Sequence, residues 1–327
     1  MGLTAAAVIG ATSAGLFSAA CAAAKDLLSK RLSFRIDGAT STFASFAFAL
    51  PFYLAAMGIL YAFGQSRFDF GKTFVTFVIL RAVTDTLAEG LKMYAFAHGD
   101  ISIVATIFSM SPLFLLVLSP LITDEHLSWI GLAAMLLVTT GSLVLVYRPT
   151  GADWASQKKA ILLAATASVF FAINTCFDRL AMRSEPPDHT DLWAPMVAGF
   201  TMTLVSALMV APFVLLRSDR WRSLADDRRG LWGRGLLEVI FMAAKLYAIR
   251  VLPGPYVVGI MRLSVIFSII GGWLFFREKD FRRRLAAGML IVAGVVLIAW
   301  IQAWEEKSQG QPSEGPPALI APDSAGR

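Results

Sequence analysis

Ten apolar stretches succeed one another along this chain with only short breaks between them, and each is close to the roughly 20 residues that a helix needs to cross a bilayer. They run over 3–28, 39–63, 73–97, 101–122 and 127–147, then over 159–182, 192–216, 232–250, 254–276 and 284–303. Inside a bilayer the backbone finds no water to bond, so stretches of this length satisfy their N–H and C=O groups as helices. Charged residues make up 16% of the chain, where soluble domains carry about 25%. A soluble globular domain is thereby excluded, and an all-α membrane protein with ten transmembrane helices is expected. The third stretch is the exception in composition. It holds Arg81, Asp85, Glu89 and Lys92 and falls short of a hydropathy criterion on its own.

Cys21 and Cys176 both lie within apolar stretches, so no disulfide framework or zinc spacing is indicated. The net charge of +6 has no soluble face on which to form a nucleic-acid surface, and no nucleic-acid partner is expected. No basic region precedes the apolar run from Leu3 to Ala24, so it is expected to be a retained helix rather than a signal peptide. From Trp304 onward the composition turns to Glu, Gly, Pro, Ser and Gln, and 304–327 is expected to be a disordered tail.

Shifting the chain by 153 positions aligns Arg81–Tyr147 with Arg234–Trp300 without a gap. Arg81 meets Arg234, Asp85 meets Glu238, Lys92 meets Lys245, Tyr94 meets Tyr247, Glu125 meets Glu278 and Gly141 meets Gly294. Shared Leu/Ala composition would not reproduce charges at one offset, so the chain divides into two five-helix units, 1–150 and 154–303. Five is odd, which makes the second unit enter the bilayer from the opposite side. Inverted repeats of this kind belong to secondary transporters, where two orientations of one fold supply two access states around a shared midplane site.

Basic residues flanking spans stay on the cytoplasmic side. Counted with the span ends that flank them, the breaks after the odd-numbered stretches carry 18 of the 29 Lys and Arg residues, Lys25 among them, against seven on the other side, Arg179 and Arg250 among those, which places both termini outside and the loops around Arg228 and Arg283 in the cytoplasm.

Two parallel stretches carry a family resemblance. One is Met93-Tyr94-Ala95-Phe96-Ala97 leading to Ser109-Met110-Ser111-Pro112-Leu113-Phe114, then Glu125 and Gly141. The other is Leu246-Tyr247-Ala248-Ile249 leading to Arg262-Leu263-Ser264-Val265-Ile266-Phe267, then Phe276-Arg277-Glu278 and Gly294. On these residues the chain resembles the EamA-like branch of the drug/metabolite transporter superfamily, with ten helices in two five-helix repeats. The resemblance implies a multi-pass protein of a bacterial inner membrane, a small-molecule substrate such as an amino acid or related metabolite, and no cofactor or metal. Two departures stand out. The Gly-Glu pair common in the family is Asp124-Glu125 and Arg277-Glu278 here, and outside termini differ from those of many relatives.

Arg262 falls in the middle of the ninth stretch, where an arginine costs at least about 2.5–3.5 kcal/mol. Either an anionic substrate group or an ion pair with Asp178 or Glu89 offsets that cost. Arg81, Asp85, Glu89 and Lys92 share one helix face, so Arg81 with Asp85, and Arg234 with Glu238, are expected as structural ion pairs; for the arginines, reaching out to the membrane interface competes. Lys92 and Lys245 lie deeper and are candidate substrate ligands. Glu89 is the candidate for a coupling proton, with neutralisation by Lys92 as the alternative. Asn174 and Asp178, one turn apart, face a cavity shared with Ser18 and Cys21, unless Asp178 lies at a helix end. Tyr94 and Tyr247 suit either a midplane site or interfacial packing.

Glu125 and Glu278 are expected in loop salt bridges or caps, and His98, His126 and His189 as solvated residues without metal-ligand spacing. Pro112 and Pro120 should kink the fourth helix, and the small residues Gly10, Ser13, Gly15, Ser18 and Ala19 suit close packing of the first. Two functions compete. One is alternating-access transport of a small, anion-bearing metabolite, with flipping of an anionic lipid intermediate as a close variant; the other is a membrane scaffold whose charges serve only helix packing. An enzyme is disfavoured, because no His or Cys cluster, phosphate loop or Ser/His pairing appears. The oligomeric state is left open.

Overall fold

The computed structural model describes residues 5–32, 38–98, 104, 107–108, 110–146, 157–185, 192–216, 228–267, 270 and 281–310. Each of the ten apolar stretches contains helix among these residues. In the first half the helices are α1 (Ala5–Leu32), α2 (Gly38–Ala47), α3 (Leu50–Ala62), α4 (Lys72–His98), α5 (Ser111–Ile122) and α6 (Trp129–Val146). The second half contributes α7 (Lys158–Arg183), α8 (Trp193–Leu215), α9 (Arg228–Val251), α10 (Gly254–Met261) and α11 (Phe281–Gly310). Four segments, Ala6–Lys25, Ala39–Ala62, Lys158–Arg183 and Trp193–Leu215, are each long and apolar enough to cross a membrane.

Breaks in the helices follow the local sequence. The second stretch divides at Phe48 and Ala49 because Pro51 lacks an N–H and restarts the chain as the first turn of α3. Gly235 of α9 approaches the backbone of Phe48 and Ala49 at this break so closely that a Cβ there would overlap main-chain atoms. In the fourth stretch α5 opens with Pro112 in its first turn and carries Pro120 inside it. The ninth is interrupted by a turn at Arg262, after which helix resumes over 263–267. The expectation of a disordered tail from Trp304 is corrected for its first residues: α11 continues to Gly310, with Trp300 stacked on Trp304 at 6.5 Å. No proline interrupts the chain before Pro312, so a helix already nucleated in the span propagates outward.

The halves interdigitate. The largest helix seams are α4 with α7, α6 with α11, and α1 with α9, all joining one half to the other. In the first, Phe77 meets Phe177, Arg81 meets Asp178, Asp85 meets Asn174 and Lys92 meets Phe171, so α4 and α7 run antiparallel. The α1–α9 seam is antiparallel too, with Ser18 donating to the Phe241 carbonyl at 3.0 Å and Lys25 reaching Glu238.

The second stretches of the two halves also pack on each other. Phe43 and Ala44 of α2 cluster with Val214 near the end of α8, whereas Tyr53 of α3 meets Phe200 early in α8. Equivalent segments of the two halves therefore run in opposite directions. The main apolar core is built from small and branched residues at these seams, among them Ala82, Ala134, Val138, Ala198, Leu246, Ile291 and Ile298. Among helices in lipid such close packing is what drives association.

Candidate functional site

A cavity of about 370 Å³ lies between the halves, walled by α1, α2, α4, α7, α8 and α9. Its charged face comes from two helices that are repeat equivalents. Arg81, Asp85, Glu89 and Lys92 descend one face of α4, and Arg234, Glu238 and Lys245 one face of α9, as spacings of three, four and seven residues place side chains on a common helix face. Lys25 of α1 completes the set. Thr42 and Ser45 of α2, Thr203 and Ser206 of α8, and Phe171 of α7 supply hydroxyls and an aromatic wall.

Beneath the cavity floor Asp178 is completely buried and accepts two cations, Arg81 Nε at 3.1 Å and Lys245 Nζ at 2.7 Å. Arg81 also lies 2.9 Å from Asp85 through its Nη1. Asn174 donates to Asp85 at 3.0 Å and accepts from Thr84, which fixes the carboxylate from the α7 side. Lys92 pairs with Glu89 and sits 5.4 Å above the Phe171 ring. At the opposite end Lys25 holds Glu238 at 2.9 Å and lies 4.2 Å over Phe241, while Arg234 donates to the Ser41 carbonyl and hydroxyl at 2.8 and 2.6 Å. Buried charges are costly unless paired, and each carboxylate named here, Asp85, Glu89, Asp178 and Glu238, holds a cation. Five cationic and three acidic side chains line the space.

Several expected site residues converge here: Lys92, Lys245 and Glu89 line the cavity, and Asn174 and Asp178 form the layer beneath it. The Arg81–Asp85 pair forms as expected from their spacing. Glu238 and Arg234 take other partners, Lys25 and Ser41. Asp178 sits inside the protein rather than at an exposed helix end. Tyr94, 64% exposed, stacks on His98 and is not among the lining residues, and Tyr247 packs half-buried against Gly10 of α1. Arg262 is also outside the lining; it reaches neither Asp178 nor Glu89 but Ser111 Oγ, at 3.0 Å. Ser18 and Cys21 are buried in the α1 seam instead of facing the cavity.

Glu125 does form the expected loop salt bridge, with Arg179 at 2.6 Å, and caps the start of α10 by accepting the Gly254 N–H at 3.1 Å. Glu278 and His189 fall outside the described residues, and His126 is exposed. Lys25 was missed as a cavity residue and counted with the charges that flank the first span, but α1 continues past it and the seam with α9 brings it to Glu238. Arg179 and Arg250, counted as loop charges on the other face, are buried at helix ends.

A bundle of apolar helices in two interlocked halves, with paired charges enclosing a cavity between them, defines a polytopic membrane protein of the transporter type. The model of the EamA-like transporter family matches residues 9–147 and again 158–300. The chain belongs to that family. A solved structure described only as a crystal structure of a protein shares the fold, with a TM-score of 0.68 and 16% identity over 92% of this chain and 99% of that one. Comparison with the curated proteins finds no match.

Proposed function

We propose that this protein is a secondary transporter that carries a small organic metabolite bearing an anionic group, by alternating access between two inverted five-helix halves. The observation that supports this best is the charge-lined cavity that the equivalent helices α4 and α9 both line, because a site shared by inverted halves is what rocking exposes to each side in turn. Lys92 and Lys245 bind the anionic group, and Phe171 packs against the organic part. Arg81, Asp85 and Asp178 hold Lys245 and the α4–α7 seam in register. Glu89 exchanges a coupling proton, which its pairing with Lys92 makes responsive to the arrival of the substrate. The ten stretches span the membrane with both termini outside.

The test is uptake into proteoliposomes across a panel of amino and organic acids, with and without a pH gradient. Lys92→Met should fold and lose flux of the accepted substrate, and Glu89→Gln should lose the response to the gradient. Equal flux in wild type and Lys92→Met would overturn the site, and flux with neither substrate class would favour a scaffold or a lipid cargo.

A further inference from the structure

Lys92 and Lys245 hold equivalent positions in the two repeats and both line the cavity, yet they enter it at different depths. Helix α7 runs past both and gives the scale. Lys245 Nζ lies 2.7 Å from Asp178, whereas Lys92 Nζ lies 5.4 Å from the Phe171 ring. Phe171 and Asp178 are seven residues apart on one face of α7, which separates the two ammonium groups by about 10 Å along the bundle. Exposure follows the same order, at 10% for the Lys245 side chain and 28% for that of Lys92, so Lys245 lies at the floor and Lys92 nearer the mouth. A charge-assisted hydrogen bond spans about 2.7–2.9 Å, and a single carboxylate is too small to reach both lysines at once. One such bond at each end leaves about 5 Å to be bridged by the ligand itself.

We propose that the substrate is a dicarboxylate of about four or five carbons, which places one carboxylate on Lys245 at the floor and the other on Lys92 at the mouth. This rests on the transport reading and narrows its substrate class. An ammonium has three N–H donors and Asp178 takes one of those on Lys245, which leaves the others for a ligand oxygen. At the mouth the second carboxylate competes with Glu89 for Lys92. The remaining acids of the wall do not oppose it, because Asp85 is held by Arg81 and Asn174, and Glu238 by Lys25. Met242 lines the cavity three residues before Lys245, at the position where the first repeat carries Glu89. The second repeat thus replaces a charge by an apolar side chain between the two lysines, which suits the methylene bridge of a diacid.

The experiment is thermal unfolding of the full chain in non-ionic detergent, at neutral pH and constant ionic strength, titrated with succinate and glutarate and with their singly charged counterparts butyrate and valerate. At least one diacid should raise the wild-type midpoint at about a tenth or less of the concentration its monoacid needs. Malonate, too short to bridge the lysines, should gain no such advantage over propionate. In Lys92→Met the diacid and monoacid should act within about twofold of each other, because only the floor lysine is left to bind. Should Lys92→Met fail to fold, Lys92→Gln carries the same comparison. A monoacid or amino acid that stabilises wild type as well as any diacid overturns the proposal and leaves the transport reading standing. A diacid preference that survives in Lys92→Met, or one that malonate shares, overturns it as well. If no acid of either kind shifts the wild type, the proposal and the anionic-substrate reading fall together.

Discussion

Asp178 of α7 and Lys245 of α9 meet at 2.7 Å although 67 residues separate them, and the second oxygen of the same carboxylate takes Arg81 from α4. One buried anion thus ties three helices, two from one half and one from the other. Its position fixes how the repeat-equivalent helices α4 and α9 face each other across the cavity.

Removing Lys245 should therefore cost stability as well as function. Breaking a buried pair typically costs about 3–5 kcal/mol, and the Arg81 contact that Asp178 keeps places Lys245→Met near the lower end. Adding Asp178→Asn removes the stranded charge and leaves Arg81 with Asp85, so the double variant should lose less than the two single losses added together. Thermal unfolding of the four proteins in detergent measures this, and strict additivity would show that the three groups do not act as a unit.

The close approach at the α2–α3 break makes a second prediction. A Cβ on Gly235 would overlap the Phe48 carbonyl and the Ala49 nitrogen, which are backbone and cannot swing aside. Gly235→Ala should destabilise by about 1–3 kcal/mol through this overpacking. Gly58, whose Cβ would meet nothing, is the matched control, and Gly58→Ala should unfold at or above the wild-type midpoint.

The fold was largely legible in the letters because lipid imposes a strong rule: apolar stretches of fixed length become helices, and charges within them recur only when a repeat demands it. The charges at Arg81, Asp85, Lys92 and Lys245 thereby announced both the repeat and the cavity wall. Partners were harder to read. Glu238 was expected to take Arg234 one turn away, yet it is held by Lys25, because the antiparallel seam brings that part of α1 to α9, a neighbour that spacing along one helix does not reveal. Tyr94 and Tyr247 look equivalent in sequence but lie one exposed and one against α1, since neighbours outside a repeat are not copied with it.

The Glu125–Arg179 pair closes one end of the bundle. Arg179 also donates to the carbonyls of Ile249 and Arg250, and Glu125 accepts the Gly254 N–H, so the loop after α5, the end of α7 and the α9–α10 junction are held together. Cys176, a free buried thiol one turn before Arg179, reports on that closure. Glu125→Gln weakens a charge-assisted contact and should speed maleimide labelling of Cys176 by about tenfold, with Cys21 on α1 unchanged. Equal Cys176 rates in both proteins would show that the pair does not hold this end shut.

Direction of the helices predicts which residues reach each side of the membrane. Leu231 of α9 clusters with Phe43, Ala44 and Val214, so the start of α2, the end of α8 and the start of α9 share one face. The Trp193 indole N–H donates to the Arg67 carbonyl, which places the chain after α3 and the start of α8 on the other. In the topology proposed above, the basic run from Arg217 to Arg234 marks the first face as the cytoplasmic one. In a background with Cys21→Ser and Cys176→Ser, Gln65→Cys and Leu192→Cys should react with an impermeant thiol reagent added outside intact cells. Arg228→Cys should react only after permeabilisation. The reverse pattern would leave the inverted packing intact and turn the whole protein over, whereas Gln65→Cys and Leu192→Cys reacting from opposite sides would break the antiparallel pairing of α3 with α8 on which the inverted halves rest.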